Sequence, residues 1–273
     1  MLNMARRFLN LCNGLLNTFV LIVLVVLGCY AGFALWDNGQ IYASVDNVQA
    51  ELMRYKPAAQ QENESESQLF ELQAINEDVQ AWLTLDNTKI DYPLMYNISN
   101  LYYLSRNVYQ EFALAGSIFI DARCDPQLRN AYNLVHGHHM ENRYMFGDLD
   151  LYKDRDFFFE NRTGTLILPD RIYSLQTFAC LLVSSFDDIV FEPDKWAEDI
   201  EQPLKYARSD VALHYDEEQI ERLLQENEEA RLGGKKPQII VLATCSSESD
   251  DARTILLAEM IEVQPEEEKE EEI

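Results

Sequence analysis

Residues 238–263 read QIIVLATCSSESDDARTILLAEMIEV. Gln238 to Thr244 is a nearly continuous apolar run, which suits a strand buried on both faces. Cys245 ends it, a polar stretch follows, and Arg253 opens a second apolar run over Thr254–Val263. A thiol and a guanidinium therefore stand at the two feet of one hairpin loop. The polar neighbours argue that Cys245 lies near solvent. A nearby permanent cation favours a thiolate and can hold a developing oxyanion. Arg253 also has a plainer reading, as a charge on an edge strand.

Working outward, short apolar runs separated by Gly, Pro, Asn and Asp begin at Trp82. They cover Ile90–Leu94, Ser117–Asp121, Asn133–Val135, Gly164–Leu168 and Ile172–Val183. This spacing predicts a mainly β barrel or sandwich with helical additions. Asp194 to Leu232 breaks the pattern. Within it Asp216–Leu232 has helical spacing, with Ile220, Leu223 and Leu224 on one face, and Gly233-Gly234 closes the helix. The region reads as a helical insertion before the strand that ends in Cys245.

Tyr132 to Met140, YNLVHGHHM, holds three of the four histidines of the chain. His136 and His138 share a face if the strand continues through Gly137, and His139 points away. A metal reading would need three or four ligands with supporting groups. Asp148 and Asp150 are available, but no HExxH or comparable spacing occurs, so no metal or other cofactor is expected. His214, in the insertion, reads as a surface residue. A single cysteine with a histidine distant in sequence is the pattern of a Cys–His enzyme. Cys180, inside LQTFACLLV, reads as a buried and inert thiol.

Five cysteines without CxxC spacing indicate neither a disulfide framework nor a zinc ribbon. Two of them, Cys12 and Cys29, precede Trp36. The remaining three, Cys124, Cys180 and Cys245, are an odd number, so in an extracellular body at least one thiol stays unpaired. It is either a nucleophile or a small buried hydrophobe.

Thr18–Trp36, TFVLIVLVVLGCYAGFALW, is nineteen residues without a charge. At about 1.5 Å per residue it spans a bilayer core of about 30 Å. Arg6 and Arg7 precede it and Asp37 follows, which places the N-terminus in the cytoplasm and the remainder outside. A cleaved signal peptide would be shorter and end in an A-x-A-like site; Gly28-Cys29 resembles a lipoprotein site only loosely. An uncleaved anchor is expected. Net charge is −25, and the first 36 residues carry only Arg6 and Arg7, leaving −27 on the rest. Such a surface repels nucleic acid. Ile41–Lys56 and Ser67–Ile75 have helical spacing, with Pro57 and the polar Ala58–Ser67 between them. They form a stalk or pack on the domain. Glu266–Ile273, EEEKEEEI, reads as a solvated tail. The expected division is 1–7 cytoplasmic, 8–36 membrane anchor, 37–74 helical stalk or linker, 75–263 catalytic domain and 264–273 acidic tail.

The set Gly137-His138, Thr244-Cys245 and Arg253 resembles the sortase family, and class B sortases in particular. INEDVQAWLTLDNTKIDYPLMY (Ile75–Tyr96), NLYYL (Asn100–Leu104), GSIFIDARC (Gly116–Cys124) and HGHHMENRYMFGDLDLY (His136–Tyr152) resemble class B segments in the same order. The likeness covers about Ile75 to Val263. Departures are Ala81 in place of a frequent Gly, Cys124 in place of a common Asn, and Ser247 where some members carry an acid, with Glu248 next door.

The resemblance implies a closed sortase-type β-barrel and a sorting-signal substrate of LPxTG or NPxTG kind. It implies Cys245 as nucleophile, His138 as acid and base, and Arg253 as the cation that orients substrate and stabilises the oxyanion. Asn100, Leu104 and Thr244 fall at substrate-binding positions. The partners implied are surface proteins bearing a C-terminal sorting signal, and an amine of a peptidoglycan precursor or a pilin. The setting implied is the outer face of a Gram-positive-type cell membrane. A cysteine peptidase using water as acceptor and a catalytically silent surface-binding domain are the competing readings.

Overall fold

The structure is a computed structural model, and it describes residues 2–57, 62–245 and 251–263. They fall into two compact units, Met1–Val48 and Gln49–Ile273. The first is the greater part of a single helix, α1 (Leu2–Leu52). Its apolar stretch is long enough to cross a membrane and its side chains there are exposed. The helix continues past Trp36, because Asp37 to Gln40 includes no proline and one glycine is tolerated in a helix.

In the second unit, α2 (Glu62–Ile75) starts earlier than its apolar spacing suggested. Leu69 and Leu72 are fully buried, so this helix packs on the body and is not a free stalk. Eight strands close the barrel: β1 (Val79–Leu85), β2 (Asp91–Tyr96), β3 (Phe119–Ile120), β4 (Tyr132–His136), β7 (Thr163–Ile167), β8 (Ile172–Ser184), β10 (Ile239–Cys245) and β11 (Ala252–Glu262). A small hairpin, β5 (His139–Met140) with β6 (Tyr144–Met145), follows β4. The sheet order is β11-β10-β4-β3-β2-β1-β7-β8, and β8 pairs back onto β11. The β10–β4 and β2–β3 pairs are parallel and the other neighbours antiparallel.

Burial explains the two runs that open the sequence reading. Ile239 to Ala243 of β10 and Ile255 to Ala258 of β11 are almost completely shielded. Each strand has neighbours on both edges and cover on both faces, which continuous apolar runs require.

The insertion is not wholly helical. After α3 (Arg155–Glu160), it holds α4 (Glu201–Tyr206), α5 (Glu217–Arg231) and, between them, β9 (Ala212–Tyr215), which hangs on β8 outside the closed ring. Asp216 caps α5 by accepting from the Gln219 N–H. Gly233, at φ +99°, ends it where its N–H reaches the Ala230 carbonyl. Ile220 and Leu223 face the body, as their spacing predicts.

Candidate active site

Register brings the predicted residues to one end of adjacent strands. In the parallel β4–β10 pair, His136 stands opposite Ala243, and the Gly137 N–H donates to the Ala243 carbonyl at 3.1 Å. Two residues further along each chain are His138 and Cys245. Across the antiparallel β10–β11 pair, Cys245 stands directly opposite Arg253. Residues 246–250, with Ser247 and Glu248, and residues 264–273, where an acidic tail was expected, lie outside the described residues.

A groove of about 370 Å³ opens at this end of the barrel. His138, Arg253, Thr244, Asn100 and Leu104 line it, together with Phe119, His136 and Phe191. Arg253 is half-buried, and its Nη1 donates to the Ala252 carbonyl at 2.8 Å. Thr244 is buried and Leu104 is exposed.

His138 lies just past the last rung of the β4 ladder, so something other than the sheet must hold it. Phe146 does this twice. Its N–H donates to the His138 carbonyl at 3.0 Å, and its buried ring lies against Gly137. A Cβ on Gly137 would sit 2.4 Å from that ring. The space that Gly137 leaves open is taken by Phe146. Desolvation by the surrounding walls, and then the charge of neighbouring His139, hold the His138 pKa below the ordinary histidine value.

The other two histidines of the cluster are committed elsewhere. His136 Nε2 lies 2.9 Å from Asp121 Oδ2, with its ring between Phe119 and Phe191. Asp121 is fully buried in the groove wall. Burial raises its pKa, but hydrogen bonds from Arg123 (2.8 and 2.9 Å) and His136 outweigh that and hold it well below the usual carboxylate range. Asn100 completes this wall, donating to Asp121 at 2.9 Å and accepting from the Ala122 N–H at 2.7 Å. Both ends of its amide are thus used by the protein itself. His139 Nε2 lies 2.9 Å from Asp150 Oδ2. Asp148, the other carboxylate considered for a metal, is buried and accepts two bonds from Arg143 and one from the Lys89 N–H.

Cys180 is fully buried in β8, and Cys124 is buried with its thiol pushed up to about 12, mainly by desolvation. Cys124 therefore supplies no thiolate at neutral pH, and Cys180 is shut away from solvent. His214 is half-buried rather than superficial, its Nε2 2.7 Å from the Lys153 carbonyl oxygen. Sequence reasoning quoted Asp121 inside GSIFIDARC but gave it no role. The pattern Asp-x-Arg after an apolar run was the available signal.

No family model matches the chain. Individual proteins do. It is 28% identical over 237 residues to sortase B of Listeria monocytogenes, covering 84% of this chain and 90% of that one. A Streptococcus pyogenes class B sortase involved in pilus biogenesis superposes with a TM-score of 0.60 at 29% identity, over 70% of this chain and 96% of that one. Sortase B of Bacillus anthracis in complex with AAEK1 gives 0.64 at 26%, over 82% and 99%. Likeness of sequence over most of the chain, an eight-stranded closed barrel and the shared fold point the same way: the chain is similar throughout its body to class B sortases and shares their fold.

Proposed function

We propose that Cys245, His138 and Arg253 carry the reaction and that the groove beside them takes a sorting signal of LPxTG or NPxTG type. The observation that carries this reading is the strand register, which sets Cys245 opposite Arg253 and level with His138 along β4. The Cys245 thiolate attacks the carbonyl carbon of the signal's Thr. Arg253 stabilises the tetrahedral oxyanion. His138 gives its proton to the departing amine, leaving a thioester on Cys245. A depressed pKa makes the His138 imidazolium a stronger acid for this step. An amine of a peptidoglycan precursor or a pilin then attacks the thioester, and His138 takes its proton. Leu104 contacts the signal with its side chain and Thr244 with its backbone, and Asn100 shapes the wall beside it.

Residues 8–36 cross the membrane with residues 1–7 inside, and the catalytic body works on the outer face. Arg6, Arg7 and the apolar length of α1 support this orientation.

The test is a panel of five-residue signals offered with and without an added amine. Transfer to the amine is expected with the parent enzyme, and none with Cys245→Ala. His138→Ala should lose about 10² to 10⁴ in rate, and His136→Gln should keep most of the activity. A product mixture that ignores the amine would favour a peptidase using water. Normal turnover by His138→Ala would place the acid–base group elsewhere.

A further inference from the structure

His138 and Arg253 belong to different segments, and each sits at the edge of what the sheet can hold. His138 is two residues beyond the last paired residue of β4, and Arg253 is the second residue of β11. The residues immediately after them meet on one carboxylate. His139 Nε2 lies 2.9 Å from Asp150 Oδ2, and the Thr254 hydroxyl donates to Asp150 Oδ1 at 3.2 Å. Lys153 Nζ, 2.8 Å away on the same turn, holds the carboxylate between them. Thr254 is fully buried and His139, Asp150 and Lys153 are each more than two-thirds shielded, so water competes little for these bonds.

We propose that Asp150 is a positioning residue for the transpeptidation, tying the segment that carries His138 to the strand that carries Arg253; this rests on the assignment of those two residues to the reaction. Successive residues of a strand face opposite sides. Arg253 turns to the groove, so Thr254 turns away from it to the face where Asp150 waits. His139 likewise turns from the groove while His138 lines it. The tie therefore fixes the spacing of the two reactive side chains without touching substrate. An error of about 1 Å in such a spacing can cost roughly 10²-fold in rate, which gives the chain a reason to place a charged clamp here.

The experiment is steady-state kinetics on one signal peptide with an added amine, with kcat expressed per titratable Cys245 thiol. Asp150→Ala, Thr254→Val and His139→Gln are compared with the parent, together with the double variant Asp150→Ala/Thr254→Val. Each single variant is expected to lower kcat, about tenfold for Asp150→Ala, while KM stays within about twofold. The double variant should be no worse than Asp150→Ala, because the two changes cut the same tie. A role in folding alone would lower the melting temperature and the titratable fraction but leave kcat per thiol at the parent value, and that result overturns the proposal. So would additive losses in the double variant. If Asp150→Ala does not fold, the kcat and KM of Thr254→Val and His139→Gln decide the matter. His138→Ala run alongside separates the two levels: if it turns over normally the site assignment fails, and if it is dead while the clamp variants are normal only the clamp fails.

Discussion

Gly137 shows what one missing methyl can do. The ring of Phe146 occupies the space a Cβ would need, 2.4 Å away, and that ring is itself fully buried. It has nowhere to swing. Gly137→Ala should therefore behave as an overpacked core substitution and cost about 1–3 kcal/mol, read as a lower urea midpoint. Because Phe146 also holds the His138 carbonyl, activity should fall with it; an unchanged midpoint would refute the contact. At this scale the sequence was informative about residue type and less so about reason. Cys245, His138 and Arg253 stood out as candidates because a thiol, an imidazole and a guanidinium fall at strand ends, and the register brings those positions to one end of adjacent strands. The motif Gly137-His138 was visible, but the reason for its glycine was not, since Phe146 lies nine positions away along a hairpin whose course depends on left-handed Asn142, Arg143 and Met145. Asp121 was unreadable as a site-builder for the same reason: its partners His136 and Asn100 come from other elements.

Among the elements, long apolar runs were read well and short ones poorly. β8, β10 and β11 match their runs to within two residues. β9, four residues with alternating exposure, exists because β8 offers it an edge, and nothing local demands it. α5 was legible from its spacing, but its polar anchor was not. Glu259 on β11 is buried; it accepts from Gln219 at 2.7 Å and from Arg222 at 2.9 Å, both on α5. Arg222→Ala leaves that carboxylate underpaired and should cost about 1–3 kcal/mol, with part of the loss recovered by water because Arg222 is itself 45% exposed. Glu259 pairs with Ile239, at the far end of β10 from Cys245, about 20 Å away. Turnover per folded molecule should stay at the parent value; a drop in kcat in this variant would mean that the two ends of the barrel are coupled.

For the whole molecule, charge sets a two-sided response to pH. At pH 7 the net charge of −25 repels itself, so mild acidification relieves the folded state. Below that, the ion-paired carboxylates reverse the trend. Asp150 is lowered to about 2, where burial opposes the shift and His139 and Lys153 produce it, and Asp121 lies lower still. Their folded pKa values are depressed, so the stability they contribute is complete above the unfolded value of about 3.9 and is lost as pH falls through the folded values. Urea midpoints should rise from pH 7 towards 5 and fall steeply between 4 and 2. Asp121→Asn should flatten the acid limb, and an equally steep limb in that variant would assign it to other groups.

The ring of strands also has an order in time. β8 is closed only by β11, the last strand in chain order, and β4 waits for β10, more than a hundred residues downstream. A chain leaving the ribosome from its N-terminus can form the β1–β2 and β7–β8 hairpins early, but it holds open sheet edges until residue 262 has emerged. Contacts so distant in sequence make the final closure slow. Cys245 and Arg253 ride on those two late strands. A nascent or truncated chain therefore lacks the end of the barrel where Cys245 faces Arg253, and the proposed site comes together only when synthesis has delivered the segment that seals the barrel.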